Sequence, residues 1–220
     1  GRHSFNSVVS KKDLAETYFP AFERCVKEAG VEGVMGGYNR LNGEAACGSH
    51  HLITEILREK WGFDGYYVSD CGAIKDFHMH HGLTDTPQES AALALKSGCD
   101  LNCGAVYLHV MSAYNQGLVS EDDIDRAVTH LMMTRMRLGM FDQHTEFDEI
   151  PYEVNDCAEH HSLSLKAAEE SMVLLKNDGI LPLDKAKLKT VAVIGPNSDS
   201  EEILKGNYNG TATEKYTLLE

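Results

Sequence analysis

The sequence predicts an α/β fold built from parallel βα units. The order helix, glycine turn, short apolar strand, polar loop recurs three times within about 100 residues, the rhythm of strands joined by helical crossovers. The first strand segment is a run of small and β-branched residues, as in strands buried in a parallel sheet. The apolar runs at 172–175 and 191–194 are four residues each, far below the roughly 20 of a membrane helix.

Ser10 and Asp13 form a capping-box pattern, and Leu14, Tyr18 and Phe22 then recur at helical spacing up to Gly30, with Pro20 predicting a kink. Residues 31–38 read as a buried strand running into the polar loop 39–43. Leu52, Ile53, Ile56 and Leu57 make a helix face, Gly62 to Gly65 turns the chain, and residues 66–69 are strand again, ending at Asp70. A third round sets a helix at 91–96 and a short strand at 100–102. Ser120 and Asp123 cap a further helix whose Ile124, Val128, Leu131 and Met132 face one way until Gly139. Residues 142–157 read as an acidic, patternless linker. A long helix over 158–177, stopped by Asn177-Asp178-Gly179, and a strand over 190–195 begin a second domain.

Parallel sheets of this kind present their chemistry at the carboxyl ends of the strands, so Tyr38, Asn39, Asp70, Cys71, Asn102 and Cys103 are the positions to inspect. Asp70 leads, as a carboxylate held at a strand end among small neighbours; a helix cap or loop carboxylate is the plainer reading. Tyr38 could donate to it, or be a core tyrosine with its hydroxyl at the rim. Arg2 and His3 sit where a disordered terminus is the bland expectation.

Composition narrows the partners. With 34 acidic against 20 basic residues the net charge is −14, which argues against nucleic acid and anionic membranes and suits a neutral or cationic small molecule. Six scattered cysteines do not make a disulfide scaffold, and Cys99 with Cys103 lacks a second ligand pair for zinc. His78, His80 and His81 are expected in a solvated loop, so no metal is assigned. Gly195-Pro196-Asn197 lacks the glycine pattern of a dinucleotide site, so no cofactor is expected. Gly1 opens the chain in place of Met and no signal peptide follows, which leaves cytoplasmic and secreted locations open. A homo-oligomer is left open too.

The blocks "GVMGGYNRLNG", "WGFDGYYVSDCGAI", "SGCDLNCG", "AAEESMVLLKNDGILPL" and "VAVIGPN" resemble, in order and spacing, glycoside hydrolase family 3. "RHSFNSVVS", the Cys after Asp70 and "GNYNGT" resemble its β-xylosidase and α-arabinofuranosidase branch, with β-glucosidase as the other branch reading. The resemblance implies the C-terminal part of a (β/α)8 barrel over 1–141, the linker 142–157, and the start of an α/β sandwich over 158–220. It makes Asp70 the nucleophile of a retaining glycosidase acting on a small oligosaccharide, places Tyr38 beside it, and gives Arg2 a substrate contact. The family's Lys-His sugar ligands and its acid/base Glu match nothing in this sequence. Cys71 and Cys103, at two strand ends beside substrate space, resemble a bridge of that branch. If their strands are neighbours, the backbones lie about 5 Å apart, within disulfide range; two free thiols are the other reading. A non-catalytic carbohydrate-binding remnant and an unrelated barrel such as an aldolase are the alternatives. The latter would want a lysine at a strand end, and none of the three has one.

Overall fold

The computed structural model describes residues 1–206, 210, 212 and 214–220, so most of "GNYNGT" lies outside the described residues. The chain divides into two compact units, Gly1–Gln143 and His144–Glu220.

The first unit is α/β. Strands β2 (Gly33–Gly36), β5 (Tyr66–Ser69) and β6 (Leu101–Asn102) form a parallel sheet in the order β2-β5-β6, with Gly36 opposite Ser69 and Ser69 opposite Asn102. Strand β2 is shorter than the predicted 31–38 and is not buried throughout. Among the described residues it pairs only with β5, and Met35 is 61% exposed. Gly36 is required where it is: a Cβ there would sit 2.7 Å from the Cys47 sulfur.

A second small sheet replaces the expected loop at 39–43. Strand β1 (Asn6–Ser7) pairs in parallel with β3 (Arg40–Leu41), which turns back on β4 (Glu44–Ala45). The turn is Asn42-Gly43, both at positive φ (50° and 96°), the conformation of a two-residue hairpin and the sequence that favours it. Asn42 also binds the N-terminal segment. Its Oδ1 accepts from the Val9 N–H at 2.8 Å and its Nδ2 donates to the Val9 carbonyl at 2.9 Å.

The helices follow the sequence with adjustments. The stretch from Ser10 is wound wide over Leu14–Tyr18 and continues as α1 (Phe19–Lys27), with Pro20 in its first turn, where a missing N–H costs least. The kink expected at Pro20 is thus taken up as a change of winding just before it. Helix α2 (His51–Lys60) buries Ile53 and Leu57. Helix α3 begins earlier than predicted, at Pro87–Lys96, because Thr86 and Glu89 form a reciprocal capping box. Helix α4 (Glu121–Arg137) is capped by Ser120 and Asp123 as expected, but it buries Ala127 and Thr134 while Val128 stays 44% exposed. The core gathers Ile53, Ile74, Phe77 and Cys99 under the sheet.

Asp100, just before β6, ties these layers together. Its side chain is 1% exposed and takes Arg58 at 2.6 Å, His130 at 2.8 Å and the Tyr67 N–H at 2.8 Å.

The second unit holds α5 (Ala158–Ser171) and the short helix Glu201–Leu204, and no strand among the described residues. Helix α5 stops six residues short of the predicted end at Asn177. It ends where Met172, Val173, Leu174 and Leu175 place apolar groups all round a helix and leave no polar face. The strand expected over 190–195 does not form. Among the described residues of this unit no neighbouring strand accepts its N–H groups, and Val191 and Ile194 are 71% and 90% exposed.

Replacing Asp100 by Asn leaves the Arg58 guanidinium, 13% exposed, without its counter-charge. The expected loss is about 3–5 kcal/mol of stability, read as a lower urea midpoint; an unchanged midpoint would show that Arg58 is satisfied elsewhere.

Candidate active site

The carboxyl ends of β2, β5 and β6 converge, and their register decides which residues meet. Ser69, 1% exposed, accepts from Asn102 Nδ2 at 3.1 Å and from the Cys103 N–H at 3.0 Å. Those bonds fix the end of β6 against the end of β5. The Asp70 N–H then donates to the Gly36 carbonyl at 2.8 Å, carrying the β2–β5 pairing one residue further. Asp70 therefore leaves the sheet in a set direction, half-buried, with its Oδ1 accepting the Cys71 N–H at 2.7 Å.

Tyr38, two residues past β2, donates its hydroxyl to the Cys71 carbonyl at 2.8 Å. Loss of solvent first, and then the charge and hydrogen-bonding reach of Asp70, push the Tyr38 hydroxyl above its ordinary value, so it remains a protonated donor beside that carboxylate. Arg2 lies over the Tyr38 ring at 5.0 Å from its centroid, and the His3 ring meets it edge-on at 4.8 Å. The N-terminal corner is therefore placed, in contrast to the disordered terminus expected. Arg40 holds it through the Ser4 carbonyl, and the Arg40 N–H donates to the Phe5 carbonyl at 2.8 Å. An open depression of about 590 Å³ lies here, lined by Arg2, Phe5, Gly37, Tyr38 and Asn39 among others.

Cys71 and Cys103 are joined by a disulfide, with Cα atoms 4.5 Å apart. The Gly72 N–H donates to the Cys103 carbonyl at 2.7 Å, and Gly72, at φ 81°, turns the chain away from the strand. The structure thus brings together Asp70, Tyr38, Arg2, Cys71 and Cys103.

The histidines depart from expectation. His81 is buried at 7% exposure against the Phe77 ring, and burial lowers its pKa below the ordinary value. His78 shares a hydrogen bond of 2.8 Å with the Ser90 hydroxyl. His80 and His3 both bind the buried carboxylate of Asp76, at 2.6 and 2.8 Å. A solvated loop is therefore the wrong description. The missed signal is Asp76 itself, four residues before His80 and on the same face of one helical turn.

Comparisons with known proteins converge on one family. Residues 3–134 match the glycosyl hydrolase family 3 N terminal domain, and residues 172–219 match the C-terminal domain of the same family. A probable exo-1,4-β-xylosidase of Aspergillus fumigatus is 44% identical over 99% of this chain, and a probable β-D-xylosidase of Arabidopsis thaliana is 42% identical over 100% of it. The chain spans 29% of the length of either relative. Among solved structures, a family 3 exo-β-xylosidase in complex with a xylobiose aziridine activity-based probe superposes with a TM-score of 0.85 at 33% identity, over 100% of this chain and 29% of that one. A β-glucosidase from Listeria innocua gives 0.75 at 28% identity, over 94% of this chain and 29% of its own.

Opening the Cys71–Cys103 bridge, which closes a loop with a sequence separation of 32, should cost about 2–4 kcal/mol of stability. A C71S/C103S double variant is expected to melt several degrees lower than the oxidised chain; equal melting temperatures would show that the strand-end hydrogen bonds suffice.

Proposed function

This chain belongs to glycosyl hydrolase family 3, and we propose from that premise that it carries the nucleophile half of a retaining glycosidase, with Asp70 as the attacking carboxylate. The single observation behind this reading is the position of Asp70. It stands at the carboxyl end of a parallel strand, its backbone fixed by Gly36, beside the disulfide-bonded Cys71 whose carbonyl takes the Tyr38 hydroxyl, with Arg2 over the Tyr38 ring. In the proposed reaction an Asp70 oxygen attacks the anomeric carbon and the bond to the leaving oxygen breaks. That oxygen takes a proton from an acid elsewhere in the whole protein, and water then releases the sugar. Tyr38 braces the turn after the carboxylate by donating its hydroxyl to the Cys71 carbonyl, and Arg2 reaches the sugar's hydroxyl groups. The sugar is read as a terminal, non-reducing β-D-xylose. The xylosidase relatives favour it over glucose through higher identity and a higher TM-score, and a bridge between Cys71 and Cys103 beside Asp70 would narrow the space for a hexose. The same reading divides the chain into a barrel portion over 1–141, a linker over 142–157 and the beginning of a sandwich domain over 158–220.

In the full-length parent, Asp70→Asn keeps the shape and removes the attacking charge. Turnover is expected to fall by roughly 10³ or more while sugar binding persists, and a 2-fluoro-xyloside should label Asp70 in the unaltered protein. Activity within about tenfold of the parent, or a label on another residue, would remove Asp70 from this role.

The 220-residue chain alone should not hydrolyse glycosides, since only one of the two carboxyl groups that a retaining enzyme sets about 5–5.5 Å apart is identified in it. Nitrophenyl β-xyloside, β-glucoside and α-arabinofuranoside assayed beside the parent test this. Specific activity within about a hundredfold of the parent would place the acid within these residues.

A further inference from the structure

We propose that His3, Asp76 and His80 form a binding site for a single divalent transition cation of the zinc class. The proposal is independent of the glycosidase reading. Three ligand atoms, one from each residue, lie within 4.8 Å of one another, although His3 is more than 70 positions from the other two. Each histidine turns its Nδ1 to a different oxygen of the same carboxylate, His3 to Oδ2 at 2.8 Å and His80 to Oδ1 at 2.6 Å.

The carboxylate is the fixed member. Asp76 opens the single turn Asp76–Met79, its carbonyl accepts the His80 and His81 N–H groups at 2.9 and 2.8 Å, and its side chain is 4% exposed. The imidazoles are the adjustable members, with side chains 44% and 46% exposed. Solvent therefore reaches the cluster from the histidine side, which gives an ion an entry path and leaves room for water to complete its shell.

Ligand type selects the ion. Two imidazoles and one carboxylate suit zinc, cobalt, nickel or copper; magnesium and calcium prefer oxygen-only shells. Ligand atoms about 2.0–2.2 Å from a tetrahedral zinc stand roughly 3.3–3.6 Å apart, so each ring would withdraw by about 0.5–1 Å from its present hydrogen bond and the most widely spaced pair of ligand atoms, within 4.8 Å, would close by up to about 1.5 Å. Arg2 is the opposing charge at the cluster: its Nε donates to His3 Nε2 at 3.4 Å, which leaves the Nδ1 facing Asp76 as the nitrogen for an ion. Each histidine donates to or accepts from Asp76 through the nitrogen an ion would take, so binding exchanges a shared proton for the metal.

The competing description is a hydrogen-bond clamp that pins the N-terminal corner and takes no ion. Calorimetric titration of the chelator-stripped 220-residue chain with zinc chloride, with cobalt(II) absorption as a second readout, separates the two. The unaltered chain should bind one more equivalent than His80→Asn, or bind it at least tenfold more tightly, and only the unaltered chain should show the tetrahedral cobalt spectrum. His80 is half-exposed, so its replacement leaves the core untouched; Asp76→Asn should repeat the loss, and His78→Ala should not. Equal stoichiometry and affinity in the unaltered chain and His80→Asn, or no binding in either, would overturn the site and leave the clamp. Displacement of zinc by an equal concentration of magnesium would overturn the ion class.

Discussion

The hydroxyl of Ser69 accepts two hydrogen bonds from the neighbouring strand end, and the rest of the site depends on that junction. Its donors, Asn102 Nδ2 and the Cys103 N–H, leave β6 no freedom to slide, so Cys103 must stand where Cys71 can reach it. Buried at 1% exposure, the hydroxyl works in a low-dielectric setting where losing either partner would strand a polar group. Asp70 follows directly in sequence and inherits the fixed direction. A one-residue slip of β5 against β6 would send Asp70 to the opposite face of the sheet and bring Ser69 out of reach of its donors.

The arrangement also separates two tasks by depth. Below the strand ends, Asp100 gathers Arg58, His130 and the Tyr67 backbone and holds helices to the sheet. Above them, a second buried aspartate, Asp76, gathers two histidines that remain half-exposed. Both carboxylates are nearly inaccessible, yet one is closed in by a guanidinium and the other is covered by half-exposed imidazoles. The first therefore serves cohesion, while the second faces toward whatever approaches the rim.

How much of this was legible in the sequence follows from the range of the forces involved. The helix caps at Ser10 and Ser120 and the strands ending at Ser69 and Asn102 depend on neighbours a few residues away, and their signals are local. The Asn42-Gly43 hairpin and the Thr86–Glu89 capping box are equally local, yet the first reads as a polar loop and the helix of the second is expected only from residue 91. Contacts that cross the chain could not be read that way. The stacking of Arg2 on Tyr38, the burial of His81 and the meeting of His3 with Asp76 depend on β1 joining β3, a pairing with no signature in a two-residue strand. The strand expected over 190–195 shows the converse. Its apolar residues were read correctly as β-favouring, but propensity alone makes no strand without a partner to take its hydrogen bonds.

The pairing of β1 with β3 also has a kinetic side. Asn6 and Arg40 can meet only once a loop of more than 30 residues has closed, and the reward is two short pairs of strand residues with a few side-chain bonds from Asn42 and Arg40. The β3–β4 hairpin closes over a two-residue turn and needs no such search, so it is formed before the N-terminal segment arrives and serves as its template. The corner bearing Arg2 and His3 accordingly rests on a few bonds of long sequence separation, including His3 to Asp76, which places it toward the low-stability end of the first unit. The rim of the site can therefore breathe on a faster clock than its floor.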